Sequence, residues 1–160
     1  MNKRGYIQDW LLFGIIIIIT AILFVAGTKI YNEINDNFQD SDMSTGAKAI
    51  SDDGISRFST VWDTAFIGIF FVFALGIIVS FYVIDTHPAL FFPIIIIFAI
   101  ILVTLAILAN VYQEFSEEPD MASTATDFEG LSWIMNNFVI ISVVLGFLGI
   151  IALFAKFQSG

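Results

Sequence analysis

Two long apolar runs at the centre of the chain, residues 64–84 and 89–111, are separated by only four residues. Neither run contains Asp, Glu, Lys, Arg or His. About 20 helical residues at 1.5 Å each span about 30 Å, the thickness of the hydrocarbon core of a bilayer. The short connection therefore predicts two antiparallel transmembrane helices whose joining turn lies at one membrane face.

The overall composition also places the chain in the membrane class. Of its 160 residues 58% are hydrophobic and 13% charged, and the mean hydropathy is +0.91, values too apolar for a soluble domain of this size. Fifteen acidic against six basic residues disfavour nucleic acid as a partner, because phosphate contacts need a basic surface. The absence of cysteine excludes disulfides, thiolate metal sites and a cysteine nucleophile.

Two further apolar runs, residues 11–30 and 133–154, complete a predicted set of four spans. Lys3 and Arg4 precede the first run, as they would in a signal peptide. An uncleaved anchor is favoured, because the run is longer than the usual apolar core of a signal peptide and lacks a convincing small-residue cleavage site. The predicted fold is an all-α integral membrane protein with four transmembrane helices and both termini on the same side.

The distribution of Lys and Arg predicts the orientation of these spans. Lys3, Arg4 and Lys156 lie in the short terminal segments, whereas the much longer segments 31–63 and 112–132 together hold two basic residues. Cytoplasmic segments are enriched in Lys and Arg. Both termini are therefore expected in the cytoplasm, with 31–63 and 112–132 forming acidic loops on the opposite side.

Small residues recur at helical spacing on two of the predicted spans. Such residues let helix backbones approach closely in lipid, where helix association depends on close packing. We therefore expect six of them to lie at helix-helix contacts: Gly68, Gly76, Ser80, Ser142, Gly146 and Gly149.

The first acidic loop has amphipathic helical ends. Ile34 and Phe38 follow the first span at a spacing of four, and Ile55 and Phe58 precede the second span at a spacing of three. The first helix is thus expected to continue a few turns into water, and the second to begin well before residue 64. The two apolar stripes either pack against each other or dock another subunit.

The second acidic loop holds six carboxylates and no Lys or Arg. Their spacing matches no EF-hand, in which the calcium ligands alternate around a glycine turn. The carboxylates either form a solvated face or bind a cationic protein. In the second case Glu117, Glu118 and Asp120 are the expected contacts.

The turn of the central hairpin carries the only histidine, His87, beside Asp85. A capped turn is favoured over a metal or proton site, because one histidine with one carboxylate is a weak signal. Pro88 and Pro93 are alternative starts for the following helix, since proline is tolerated in the first helical turn.

No sequence pattern points to catalysis. The chain has no GxSxG, HExxH, P-loop or GxGxxG motif, and no ionisable residue in mid-span, which disfavours ion-coupled transport. We therefore expect a non-enzymatic protein that uses no metal or cofactor.

The sequence has many helix-packing positions and no pattern typical of a catalytic site. This combination favours a structural or accessory protein that acts as a packing or scaffolding subunit of a larger membrane assembly. A membrane-containing virion is one assembly of this kind. The expected partners are the lipid bilayer, other membrane subunits or further copies of the chain, and a cationic protein for the acidic loops. The alternative is a small holin-like pore former or a channel for an uncharged solute.

Overall fold

The computed structural model describes residues 5–83 and 91–158, all but a few of them in α-helices. In chain order the helices are α1 (Gly5–Gln39), α2 (Thr45–Val83), α3 (Phe91–Glu117), α4 (Pro119–Ala125), α5 (Glu129–Asn136) and α6 (Phe138–Gln158). The prediction of an all-α membrane protein is confirmed at this level, since α1, α2 and α3 are long and apolar enough to cross a bilayer.

The predicted fourth span, 133–154, is not one continuous helix. It is divided between α5 and α6, which meet at an angle of 67° and count as a span only if taken together. The break is at Asn137, whose backbone N–H and side-chain amide both donate to the carbonyl of Trp133, at 3.2 and 2.8 Å. An asparagine side chain that competes for backbone bonding partners in this way favours the end of a helix.

The two predicted acidic loops are largely helical. Segment 31–63 is a helical hairpin whose turn is confined to residues 40–44. Segment 112–132 comprises the end of α3, all of α4 and the start of α5. Pro119 occupies the first position of α4, where its missing N–H leaves no helical bond unmade.

Pairs of side chains define the register of α1 against α2. Gln39 Nε2 donates to the carbonyl of Lys48 at 3.0 Å, and the rings of Phe24 and Trp62 are 4.6 Å apart. The two helices are therefore antiparallel. Phe24 lies well inside the predicted span 11–30, whereas Trp62 precedes the predicted span 64–84, so the two predicted boundaries are not level with each other.

Most of the largest fully buried side chains lie at the α4–α5 end of the molecule. The side chains of Tyr112, Phe128, Leu131 and Met135 are all buried there. By contrast, only 11% of an apolar 18-residue stretch of α2 is buried. Water drives apolar side chains together, but lipid does not. Residues 112–136, here called the helical cap, are thus packed like part of a water-soluble domain.

Candidate interaction site

A carboxylate from α2 holds the start of α5. Asp63 Oδ2 accepts a hydrogen bond from the backbone N–H of Gly130 at 3.0 Å, and Oδ1 accepts one from that of Leu131 at 2.7 Å. Both N–H groups lie in the first helical turn, where no intrahelical acceptor exists. The N-cap residue Phe128 makes no side-chain cap. Asp63 therefore caps α5 from another helix, and its charge suits the positive end of the helix dipole.

Gly130 allows α2 and α5 to approach this closely. A Cβ atom at this position would overlap the side chain of Ile67 and lie 3.0 Å from Asp63 Oδ2. A larger residue would therefore have to displace the end of the Ile67 side chain or move α5 away from the carboxylate that caps it.

Hydroxyl groups connect the other elements of the helical cap. The hydroxyl of Tyr112, on α3, lies 3.4 Å from Ser132 Oγ, on α5. Ser132 Oγ in turn donates to the carbonyl of Ala125, at the end of α4, at 3.0 Å. Because Tyr112 is fully buried, these contacts join three helices inside the cap.

Sequence reasoning missed Asp63, Gly130 and Tyr112 as determinants of this junction. The local signals were a carboxylate directly before an apolar run and a glycine within a helical segment. Neither signal reveals that α5 returns to α2.

A polar seam joins the hairpin formed by α1 and α2. Asn35 Nδ2 donates to Asp52 Oδ1 at 2.9 Å, Gln39 Nε2 donates to the same oxygen at 3.0 Å, and Ser51 Oγ donates to Asn35 Oδ1. Lys48 Nζ donates to the carbonyl of Gln39. The facing sides of the two helices are thus polar in this region, and the apolar stripe of α1 is turned elsewhere.

The predicted docking residues are largely exposed. Ile34 is 50% and Phe38 42% exposed, whereas Ile55 is half-buried. Phe58 packs against Tyr31, with ring centroids 5.3 Å apart. Of the four predicted docking residues, Phe58 therefore takes part in an aromatic contact between α1 and α2, whereas Ile34 and Phe38 are exposed.

The predicted acidic contacts lie together at one edge of the helical cap. Glu117 ends α3, Glu118 is the N-cap of α4, and Asp120 lies in the first turn of α4. All three are exposed. This arrangement leaves them accessible to a partner.

The predicted packing residues divide between two environments. On α6, Ser142, Gly146 and Gly149 are buried, and a Cβ atom on Gly146 would overlap the ring of Phe98. This face of α6 packs inside the chain.

The small residues of α2 face outward. Gly68 and Gly76 are exposed, and a Cβ atom on either would meet no atom within 4 Å. The side chain of Ser80 lies outside those that the structure describes. The helix contact expected at Gly68 and Gly76 stays a prediction, and it now concerns a helix of another chain.

A cavity between the spans is too small to hold a typical ligand. It measures about 20 Å³ and is lined mainly by apolar side chains, with the hydroxyl of Ser142 as a polar exception. Small-molecule sites are usually at least about 300 Å³. The cavity therefore gives no support to a substrate-binding role.

Metal ligands are not gathered anywhere in the two described stretches, 5–83 and 91–158, which contain no suitable group of three or more His, Cys, Asp or Glu residues. Asp85, His87 and Pro88 lie outside the described residues. Pro93 is in the first turn of α3, a position that proline tolerates.

Comparisons of the chain with protein-family models, curated proteins and solved structures gave no match. The proposals that follow therefore rest on the residues and their geometry.

Proposed function

We propose that this multi-pass membrane protein is a non-enzymatic structural or accessory subunit of a larger membrane assembly. The observation that carries the proposal is the contrast between α2 and the helical cap. Only 11% of an apolar 18-residue stretch of α2 is buried, whereas the cap has a dense core that is tied to α2 through Asp63. A sparsely covered span beside a densely packed cap suits a protein that binds neighbours in the membrane and presents a folded surface above it.

The exposed face of α2 supports contact with another membrane helix. Gly68 and Gly76 lie on it with open space where a side chain would be. A neighbouring backbone can approach closely at such positions, and close approach is a main source of helix association in lipid.

The roles of the positioned ionisable groups also support a non-enzymatic function. Both carboxylate oxygens of Asp63 accept backbone hydrogen bonds. Lys29 and Arg57 form ion pairs with Glu33 and Asp53, at 3.5 and 2.9 Å. These groups stabilise helices and helix junctions and form no arrangement of nucleophile, base and orienting group.

The bent pair α5–α6 supports a proposal of four membrane crossings with both termini in the cytoplasm. Trp133 on α5 is 63% exposed, whereas Leu131, Ile134 and Met135 are buried. An amphipathic helix with an outward tryptophan suits the membrane interface, so that α5 would lie at the membrane boundary and α6 would continue the crossing from it. Lys3, Arg4 and Lys156 would then lie on the cytoplasmic side.

Purification in mild detergent followed by mass spectrometry tests the proposed function. A stoichiometric partner retained by the parent chain is the expected result. A leakage assay provides a second test. Vesicles reconstituted with the protein are expected to retain both ions and uncharged solutes. Leakage from vesicles that contain the protein but no partner would favour a pore former instead.

A further inference from the structure

The last ten residues of α1, 30–39, carry an exposed apolar stripe. Ile30, Ile34 and Phe38 recur at a spacing of four, and all three are exposed. Tyr31, packed against Phe58 on α2, widens this surface. These five residues are here called the hairpin stripe. Lipid covers apolar side chains within the bilayer, but water would meet most of this stripe, and exposed apolar patches on such surfaces mark interaction sites.

Acidic side chains follow the hairpin stripe along α1, with Glu33 and Asp40 beside it and Asp36 farther around the helix. Glu33, Asp36 and Asp40 are exposed on the same stretch of α1. Carboxylates at this density place the stretch outside the hydrocarbon core, where charged groups are costly. The surface around the stripe is therefore both apolar and negatively charged.

The nearby cations are already engaged within the chain. Lys29 lies 3.5 Å from Glu33, Arg57 lies 2.9 Å from Asp53, and Lys48 donates to a backbone carbonyl. Asp36 and Asp40 form no ion pair with any residue in the described part of the chain. Their charge is available to a partner.

A second copy of the chain is a poor occupant of this surface. Copies inserted with the same topology carry their α1 helices parallel to each other. Pairing the stripes would then bring Glu33 and Asp40, which lie along one side of the stripe, close to the same residues of the other copy, and like charges at such spacings oppose association.

We infer that the hairpin stripe binds an amphipathic helix of a different subunit, with an apolar face flanked by Lys or Arg. This inference rests on the proposed function as an accessory subunit and adds the binding surface and the chemistry of the partner. Apolar anchors in such an arrangement supply affinity, while complementary charge speeds association and selects the partner.

A synthetic peptide tests this surface directly. The probe is a fluorescent Leu/Lys peptide of about 18 residues, long enough to form a helix on binding, with Leu at helical spacing. Its controls are a Leu/Glu peptide of the same pattern and a scrambled Leu/Lys peptide. Binding is measured by anisotropy with the full chain in phosphatidylcholine nanodiscs, and empty nanodiscs give the lipid background.

The Leu/Lys peptide is expected to bind the protein above that background, and both control peptides to bind weakly. The double variant Ile34→Gln/Phe38→Gln should weaken binding by about tenfold or more, as loss of interface anchors commonly does. Ile50→Gln is the matched control, because Ile50 is 76% exposed and lies on α2 outside the stripe. It should bind the peptide as the parent does.

Equal binding to empty nanodiscs, or equal loss in the Ile50 and stripe variants, would overturn the inference. Spontaneous cross-linking of Phe38→Cys between copies, without cross-linking of Ile50→Cys, would assign the stripe to a second copy and also overturn it. Failure of the proposed function would be seen separately. If the parent and the stripe variant retain a natural partner equally, only the proposed role of the stripe is refuted. If the peptide binds through the stripe but no natural partner is retained, the accessory role is refuted.

Discussion

Asp63 and Leu131 are joined by a hydrogen bond of 2.7 Å between a side-chain oxygen of α2 and a backbone N–H of α5. Together with the bond from Gly130, it caps the first turn of α5 with a residue from another helix. This junction therefore holds the start of α5 against α2.

Asp63→Ala should therefore destabilise the cap. Loss of an N-cap acceptor typically costs about 1 kcal/mol, within a range of about 0.5–2 kcal/mol. Asp63→Asn should retain part of the effect, because an amide oxygen can still accept one of the two bonds. Thermal unfolding in detergent measures the change. Asp127→Asn, at an exposed site in the cap, is the control, and equal stability of all three variants would contradict the capping role.

Gly130→Ala should strain the contact between α5 and α2, because the new Cβ atom would overlap the end of the Ile67 side chain. Overpacking of this kind typically costs about 1–3 kcal/mol. Gly46→Ala is the matched control, since a Cβ atom there meets nothing within 4 Å; replacing a helical glycine at such a site is neutral or stabilising by up to about 1 kcal/mol. Adding Ile67→Val should partly rescue Gly130→Ala. An unaltered melting temperature for Gly130→Ala would show that the two helices are not this close.

Gly146→Leu should disturb the packing of α6 on α3, because the ring of Phe98 occupies the space beside Gly146. The expected loss of stability is again about 1–3 kcal/mol. Gly68→Leu should not lower the melting temperature of the isolated chain, since Gly68 is exposed and a Cβ atom there meets nothing within 4 Å. If Gly68 meets another subunit, this second variant should instead reduce the retention of that partner. Identical melting temperatures for both variants would refute the assigned packing of α6.

Single-cysteine labelling tests the proposed topology, because the chain contains no cysteine of its own. Ser44 lies at the hairpin turn and Ser123 on α4, and both are exposed. Cysteines at these two positions should react with a membrane-impermeant reagent from the non-cytoplasmic side only. Labelling of either position only from the cytoplasmic side would refute the model with both termini in the cytoplasm.

The acidic edge of the cap should give salt-sensitive association with a cationic partner. The Debye length falls from about 10 Å at 0.1 M salt to about 3 Å at 1 M, so added salt should weaken retention by the parent chain. The triple variant Glu117→Gln/Glu118→Gln/Asp120→Asn should retain less partner at low salt and respond less to added salt.

Neutralising three other exposed acids, Asp42, Glu114 and Asp127, provides a control with the same change in net charge. If this control loses as much partner as the triple variant, the effect is one of net charge alone. If neither set alters retention at low salt, the acidic edge only solvates the cap.

The general architecture of this protein could be predicted from local properties of the chain. A span must satisfy its backbone hydrogen bonds internally and present apolar side chains to lipid. A run such as 89–111 can meet both requirements within one segment of consecutive residues. The helical ends around Ile34 and Phe58 were visible for a similar reason, because amphipathic periodicity is a property of neighbouring residues.

The helical cap was not predictable in the same way. Its six acidic residues and its lack of Lys and Arg are typical of a solvated loop, yet Tyr112, Phe128 and Leu131 form a buried core there. Which apolar side chains meet is decided by contacts between α3, α4 and α5, and a short, strongly charged segment gives little periodic signal of those contacts.

The sequence by itself determined that the chain is helical and apolar enough to cross a bilayer, since both properties follow from the order of residues within each segment. Only the tertiary structure decided that Asp63 caps α5, that the last apolar run bends at Asn137, and that Gly146 packs inward while Gly68 faces outward. The sequence of a helix that is apolar on all sides does not indicate which face contacts protein. A bond between residues 68 positions apart likewise depends on how whole helices are placed, which no local pattern specifies.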